Sequence, residues 1–420
     1  MIAITTGDMM PIYGSFGLGI RYTVRLVLRL ADRIDEKILS AAAAKTQQRY
    51  PYLSLRLRRG KKDFYFEENV APIAVINTDK RISLNSEETN YHVWAVCYKD
   101  DMLFFEIYHG VADGTGVNFV LSTLLYYYCA KRYGVTDHTG IRTLEDPILP
   151  EESTDPTDDM PQLDPSLMQE KPRPQAFSLL RDGGLTASEQ KIYDLDMPED
   201  AFVTFSSAHD ASPGTMVSIL FARALDAIYP NRAKPLINSY IINDRPMLGA
   251  LSTHHNCVHA MTFEYSDRVK SMPLDRQCTV HRGTTFVNAD PERVAKTVLF
   301  MSSRTKLAND TAPDIETQKQ AFAKMLSSGR NYFTYMVSYV GQWKLDQLAP
   351  YVQEFRVHAP NAKQLLIMIT AINRRIFLSI HQHFSEDVVV KSFFRQLEDN
   401  HIPYKLKGVF ENDAARFPEP

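Results

Sequence analysis

The stretch from Met102 to Gly116 constrains the fold of this chain more than any other part of the sequence. Its first seven residues, MLFFEIY, form a run of aromatic and β-branched side chains that is typical of a buried strand. The apolar stretch that follows Gly116 has the length and composition of a helix. A tight loop between the two contains His109 and, four residues later, Asp113. The sequence therefore predicts a strand–loop–helix unit with a histidine and an aspartate in its turn.

The residues of this loop have a chemical interpretation and a purely structural one. A neutral imidazole, whose unperturbed pKa is about 6.5, can take up a proton near pH 7. Asp113 can point away from His109 in so short a turn and hold the loop by pairing with an arginine, while Gly114 allows a positive φ or a close backbone approach. In the structural alternative, Asp113 or Thr115 caps the helix and His109 is a satisfied core residue.

Hydrophobic periodicity predicts further elements on both sides of this unit. Residues 22–30 alternate as a strand, Asp32 is the expected cap of a helix that ends near residue 48, and a strand follows Pro51. Residues 1–19 contain glycines that match no phosphate-binding motif and are predicted to form a loop. Strands are predicted at 64–66, 73–76, 92–98, 102–108, 191–197, 234–244, 333–343, 364–372 and 375–383, and helices at 199–207, 213–228 and 386–399. Residues 274–328 are expected to be mainly helical, with breaks near Arg282 and Pro313.

A proline-rich, acidic stretch divides the sequence into two halves. Prolines recur among Asp and Glu from about residue 134 to 175, and such a composition buries little surface. The predicted domains are an N-terminal half at 1–150, a linker at 151–175 and a C-terminal half at 176–420. The length of 420 residues, with 44% hydrophobic and 23% charged residues, fits a globular chain of this size.

Charge and motif content exclude several classes of function. The formal net charge is −3 and no long basic block occurs, so nucleic-acid binding is not expected. No run of about 18 apolar residues predicts a membrane span. The four cysteines lack a paired spacing, which favours a reducing, cytoplasmic location. Phosphate-loop, nucleophile-elbow and zinc-protease motifs do not occur.

The segment YHGVADG, from Tyr108 to Gly114, resembles the HxxxDG signature of the chloramphenicol acetyltransferase-like superfamily. That superfamily includes alcohol acetyltransferases, plant HxxxD acyltransferases and condensation domains. Condensation domains usually have two adjacent histidines, and Tyr108 occupies the first of these positions, so the resemblance is to the single-histidine branches, nearest the alcohol acetyltransferases. Looser resemblances to the same superfamily are found in RYPYLSLRLR, INDRPMLGALSTHHNCVHAMTF, FTYMVSYVGQW and IFLSIHQHFSEDVVVKSFFRQLE.

This resemblance implies both a fold and an activity. The implied fold is α/β, with two related halves that each have a mixed or mainly antiparallel sheet with packed helices, and with an active-site tunnel between them. The implied reaction moves an acyl group from a CoA thioester, or from an acyl carrier protein, to a small-molecule alcohol or amine. His109 would be the general base, without a covalent intermediate. Acyl-CoA would be a co-substrate, and no tightly bound cofactor is implied.

The resemblance also assigns roles to residues outside the loop. Asp113 would order the loop through an arginine, for which Arg245 is the first candidate and Arg56 the second; Arg245 could also be a surface arginine that follows a strand. Gly114 completes the motif. The candidates for stabilising the oxyanion are Asn256, Ser338, Tyr339 and backbone N–H groups.

Two alternatives of other classes stay open in the sequence. The chain could be a non-catalytic binding or scaffold protein of the same fold. It could also be a metal-dependent hydrolase, because His254, His255, Cys257 and His259 are suitable zinc ligands, as are His381 and His383 on one strand face. Their spacings match no usual zinc site, so no native metal is expected.

Overall fold

A computed structural model describes residues 1–19, 22–168, 173–343, 346–359, 364–411 and 417–420. Its strands are β1 (Ile2–Ala3), β2 (Thr23–Leu30), β3 (Leu55–Arg59), β4 (Phe64–Glu68), β5 (Val75–Asn77), β6 (Trp94–Lys99), β7 (Met102–Tyr108), β8 (Ala187–Pro198), β9 (Leu236–Asn243), β10 (Val258–Tyr265), β11 (Tyr335–Gln342), β12 (Val352–His358), β13 (Leu365–Ile372), β14 (Arg375–Phe384) and β15 (Lys405–Glu411). Its helices are α1 (Thr6–Leu18), α2 (Glu36–Arg49), α3 (Gly114–Tyr133), α4 (Glu199–Ala208), α5 (Pro213–Ile228), α6 (Arg245–Leu248), α7 (Asp267–Lys270), α8 (Leu274–Asn288), α9 (Pro291–Asp310), α10 (Ile315–Arg330) and α11 (Val388–Asp399).

Two large sheets organise the described part of the chain. One has the strand order β12-β2-β7-β6-β5, and the other has the order β10-β9-β11-β13-β14-β8-β15. A small third sheet has the order β1-β4-β3. Most neighbouring strands are antiparallel, whereas β5 and β6 are parallel, as is β11 to both of its neighbours. The predicted α/β class with two mainly antiparallel, mixed sheets is confirmed.

The strand–loop–helix unit forms as the sequence predicts. Strands β6 and β7 are an antiparallel hairpin in which Val96 lies opposite Phe105. Helix α3 begins after Asp113, whose side chain caps it, and ends at Gly134, which has a left-handed φ of 77°. The loop that contains His109 is therefore held between a buried strand and a capped helix.

Strand β12 crosses from the second half of the sequence into the first large sheet. It pairs antiparallel with β2, so that Phe355 lies opposite Leu28. Local periodicity does not predict this strand, because its pairing partner is more than 300 residues away in the sequence. Sheet membership consequently does not follow the predicted division of the chain at residues 150 and 176, and that division stays a prediction.

The prediction of a loop over residues 1–19 is wrong, because most of this segment is helix α1. Glycine lowers helix propensity, but here it allows close packing against α10. A Cβ on Gly17 would lie 2.4 Å from the carbonyl oxygen of Lys319, and one on Gly14 would lie 2.2 Å from Leu326 Cδ1. Tertiary packing therefore outweighs the weak local propensity.

Three finer predictions also differ from the structure. Helix α2 is capped by Asp35 rather than Asp32. Helix α8 continues through Gly283, where the cost of a glycine in a helix is only about 1 kcal/mol relative to alanine. The acidic stretch was expected to bury little, but Glu152 and Asp155 are each 2% exposed. Residues 169–172 of the predicted linker lie outside the described residues.

Strand β13 packs on both hydrophobic cores through its alternating side chains. Leu366 and Met368 belong to the core of the first sheet, whereas Leu365 and Ile367 belong to the core that α5 and α11 form on the second sheet. The two large sheets therefore meet along this strand. Among the helices that the structure describes, none combines the length and the apolar character that a membrane span requires.

Candidate active site

His109 lies directly after β7, on the loop that leads into α3. Its backbone N–H donates a hydrogen bond to the carbonyl oxygen of Tyr22 (2.7 Å), and its own carbonyl oxygen accepts one from Asn256 Nδ2 (2.9 Å). The imidazole is half-buried, and the buried Nδ1 has no hydrogen-bond partner among the described residues. Backbone contacts thus position this side chain without engaging Nδ1.

Asp113 makes no hydrogen bond to His109 and accepts five hydrogen bonds from other described residues. Its Oδ1 accepts from the backbone N–H groups of Thr115 (3.1 Å) and Gly116 (3.0 Å) and from Arg245 Nη2 (2.8 Å). Its Oδ2 accepts from Arg245 Nη1 (2.8 Å) and from the N–H of Cys257 (3.0 Å). The same carboxylate therefore caps α3 and forms the ion pair with Arg245 that was expected.

Arg245, like Asp113, is buried and fully hydrogen-bonded. The Arg245 side chain is 1% exposed and that of Asp113 is 3% exposed. Its remaining donors reach the carbonyl oxygens of Thr253 (3.1 Å) and His255 (2.8 Å) and Oδ1 of Asn243 (3.3 Å). A bidentate guanidinium–carboxylate pair of this kind fixes orientation as well as charge. It joins the start of α3 to α6, the short helix that follows β9.

The close backbone approach in the loop occurs at Gly116 rather than at Gly114. A Cβ on Gly116 would lie 2.1 Å from the carbonyl oxygen of His254. Gly114 is exposed, and a Cβ there would contact Val340 at an ordinary 3.5 Å. Gly114 ends the HxxxDG segment and Gly116 follows it by two residues, and only the tertiary contact shows which of the two is closely packed.

A cavity of about 350 Å³ adjoins His109 where the two large sheets meet. Leu26 of β2 lines it from the first sheet, and Met336 of β11 and Met368 of β13 line it from the second. Thr115, at the start of α3, contributes a hydroxyl group. Small-molecule sites in proteins usually measure roughly 300–1,000 Å³, so a substrate could contact both sheets and the histidine here.

The three candidate oxyanion residues lie in different environments. Ser338 lines the cavity on the same face of β11 as Met336. Tyr339 also borders it, but its side chain packs against the core of the second sheet, where burial raises its pKa. Asn256 does not line this cavity, and its amide N–H groups donate to Asp8 Oδ1 (2.7 Å) and to the carbonyl of His109. The structure therefore places Ser338 in the cavity that adjoins His109, whereas the amide of Asn256 is bonded outside it.

A buried polar network behind the loop was not predicted from the sequence. Asp8 on α1 is 2% exposed and contacts Asn256 and, at 2.6 Å, Nδ1 of His255. Burial would lower the pKa of His255, but the charge and the hydrogen bond of Asp8, together with the charge of Asp155, raise it to about 9. Burial would raise the pKa of Asp8, and His255 and Asn256 lower it instead. The one local signal was Thr5, three residues before Asp8, a spacing typical of a helix start.

The free energy of unfolding should decrease between pH 7 and pH 8.5 because of His255. The unfolded histidine has lost its proton above its ordinary pKa of about 6.5, whereas the folded one keeps it up to about 9. The folded state therefore binds the extra proton, and the expected decrease is roughly 2 kcal/mol in urea titrations across this range. His255→Asn should be less stable at pH 7 but should lack this slope, and a slope that persists in the variant would contradict the assignment.

The histidines that could have formed metal sites have separate partners. The Nδ1–H of His254 donates to the carbonyl oxygen of Val111 (2.8 Å), and His259 Nδ1 lies 2.6 Å from Asp244 Oδ1. His381 accepts a hydrogen bond from the N–H of Ala359. His383 Nε2 lies 3.3 Å from the amide nitrogen of Gln190. Within the described ranges, no three His, Cys, Asp or Glu side chains are grouped as metal ligands.

Solved structures with the same architecture were found by comparison of coordinates. TRI101 from F. sporotrichioides, complexed with coenzyme A and T-2, has a TM-score of 0.62 at 11% identity, with 97% of this chain and 99% of that chain covered. The condensation domain of the Monacolin K polyketide synthase MokA has a TM-score of 0.58 at 10% identity, with 95% and 96% covered. Polyketide synthase associated protein 5 from Mycobacterium tuberculosis has a TM-score of 0.59 at 12% identity, with 94% and 98% covered.

No family model matches the chain, and no curated protein matches it in sequence. At identities near 11% the matches demonstrate the fold, and they extend over almost the whole of each chain. The fold expected from the HxxxDG segment is thereby confirmed: this chain has the fold of TRI101 and of the MokA condensation domain.

Proposed function

We propose that the protein is an acyltransferase that moves an acyl group from a CoA thioester to an alcohol or amine, with His109 as the general base. The observation that supports this most is the position of His109. Its imidazole lines a cavity of substrate size, its backbone is held on both sides, and its buried Nδ1 has no partner among the described residues. A scaffold protein has no need for an imidazole held in this way.

The chemistry proceeds in one displacement through a tetrahedral intermediate. The acceptor oxygen or nitrogen attacks the thioester carbonyl while His109 takes the proton from it. The C–S bond then breaks, and the proton passes from the imidazolium to the departing thiolate. General-base assistance of this kind contributes roughly 10²–10⁴ in rate. No covalent acyl-enzyme is needed, because both substrates meet at the same histidine.

Ser338 is the candidate donor for the developing oxyanion. Its side chain faces the cavity, and its hydroxyl makes no hydrogen bond to another described residue. One donor to an oxyanion can contribute about 3 kcal/mol to the stability of the transition state. Asn256 suits this role less, since its amide already bonds to Asp8 and to the carbonyl of His109.

The structural neighbours support acyl transfer and leave two possible donors. The TRI101 structure contains coenzyme A, which favours a CoA thioester, and acyl-CoA is proposed here as a co-substrate. The condensation domain and the polyketide synthase associated protein make an acyl carrier protein the alternative donor. The proposal also includes two acyltransferase halves, at 1–150 and 176–420, and a cytoplasmic location, which the four free, buried cysteines favour.

The proposed function is tested by thiol release. Acetyl-, butyryl- and longer acyl-CoAs are incubated with a panel of alcohols and amines, in parallel with an acyl carrier protein that bears the same acyl groups. Release of CoA that depends on the acceptor is the expected result. Release from the carrier protein alone would identify the acyl carrier protein, rather than acyl-CoA, as the donor. No transfer from either donor would favour a non-catalytic binding protein.

A further inference from the structure

The cavity beside His109 is lined mainly by aliphatic and thioether side chains. They come from β2, α3, β11 and β13, and include Leu26, Val117, Met336, Val340, Leu366 and Met368. Removing apolar surface from water contributes about 25 cal/mol per Å², so a ligand that fills such a space binds through its own apolar surface. This lining favours a lipophilic molecule over a polar one.

The same cavity offers no free counter-charge to a ligand. Among the described lining residues there is no lysine, arginine or glutamate, and Asp113 is the one aspartate. The Asp113 carboxylate already accepts two hydrogen bonds from Arg245 and three from backbone N–H groups. A charged group that entered would lose its hydration without gaining a partner, which is costly.

Apart from His109 and the paired Asp113, the polar side chains of the lining are uncharged. They are Tyr22, Tyr339, Asn243, whose Oδ1 accepts from Arg245, and the hydroxyl residues Thr115 and Ser338. The hydroxyl groups of Thr115 and Ser338 bond to no other residue in the described part of the chain. A single hydroxyl of a ligand can therefore be oriented beside the imidazole while the rest of the molecule contacts the apolar walls.

We propose that the acceptor that binds in this cavity is an uncharged, lipophilic alcohol. This inference rests on the proposed acyl transfer, because the group that His109 deprotonates belongs to the acceptor and must lie in its cavity. A primary alkylamine is disfavoured, since with a pKa of about 10.4 only roughly one molecule in 2,500 is uncharged at pH 7. Acceptors with a carboxylate are disfavoured for the same reason of charge.

The kinetic test compares acceptors that share one carbon skeleton. With a single acyl-CoA at pH 7, kcat/KM should be at least about 100-fold higher for 1-decanol than for decylamine or 10-hydroxydecanoate. The decylamine rate should increase about tenfold per pH unit, because only its neutral form enters. Equal use of the charged acceptors, in a reaction that His109→Ala abolishes, would overturn the acceptor class and leave acyl transfer standing.

Cavity-filling variants locate the acceptor. Met368→Trp, or Val340→Phe should the first fail to fold, is expected to raise KM for 1-decanol at least about tenfold more than it raises KM for ethanol. The control is Val409→Phe, which makes the same Val-to-Phe change at an exposed position on β15. A change in acyl-length preference, with the acceptor preference unchanged, would assign the cavity to the acyl chain and overturn the acceptor assignment.

A binding measurement separates this inference from the proposed function. In thermal unfolding, 1-decanol should raise the Tm of the wild type and not that of Met368→Trp, while decylammonium should raise neither. If no acyl transfer occurs with any donor but this pattern holds, the proposed function fails and the preference of the cavity for uncharged lipophilic molecules stands. Equal stabilisation by decylammonium, or none by 1-decanol, would overturn that preference.

Discussion

His109→Ala is expected to reduce kcat for acyl transfer by about 10²–10⁴ without loss of the fold. The reduction follows from the removal of the base, since no other imidazole is among the described residues that line the cavity. The fold should persist because the loop is held by the backbone N–H and carbonyl of residue 109, which an alanine keeps. Steady-state thiol release and urea unfolding measure the two effects separately.

A second histidine provides the matched control for this experiment. His138 lies outside the cavity and borders a different, open pocket, so His138→Ala should retain activity within about twofold. A folded His109→Ala protein with an unchanged rate would contradict the role of His109 as base.

Asp113→Ala is expected to decrease the free energy of unfolding by about 3–5 kcal/mol. The substitution leaves the Arg245 guanidinium buried at 1% exposure without its counter-charge, and it also removes the cap of α3. Activity should be lost with it, because the start of α3 and the loop that contains His109 share this anchor. Urea titration followed by circular dichroism measures the change.

An exposed ion pair of the same chemistry provides the control for the buried one. Arg56, the second partner considered for Asp113, pairs instead with Glu67 at 2.7 Å, and their side chains are 31% and 40% exposed. Arg56→Ala should therefore cost only about 0–1 kcal/mol. The double variant Asp113→Leu/Arg245→Met should recover part of the stability that Asp113→Ala loses, without recovering activity. Equal costs for Asp113→Ala and Arg56→Ala would contradict the account of the buried pair.

Local patterns were sufficient for the elements around His109. The apolar run of β7, the short turn and the capped start of α3 depend on residues within about ten positions of one another, and their prediction is confirmed. The pairing of Asp113 with Arg245 spans 132 positions, and it was found through a motif resemblance rather than through periodicity. The catalytic roles assigned to these residues stay predictions.

Long-range packing explains where the sequence-based predictions were wrong. Helix α1 was missed because its glycines, poor helix formers on their own, are needed for its contact with α10. The contacts of Asp8, which lies on α1, were not predicted either. Its Oδ2 lies 2.6 Å from His255 Nδ1, and its Oδ1 accepts a hydrogen bond from Asn256, which also bonds to the loop. Strand β12 was missed because its pairing partner β2 lies far away in the sequence.

The sequence by itself determined the β7–loop–α3 unit, most strands and helices, and the family resemblance from which the fold was expected, because hydrophobic periodicity and helix capping act between near neighbours. The tertiary structure alone decided that Gly116 rather than Gly114 is closely packed, and that Ser338, not Asn256, lines the cavity of His109. It also decided that this cavity is apolar and has no free charge. These properties depend on which side chains of β2, β11 and β13 meet across two sheets, and such contacts are specified only when the whole chain has packed.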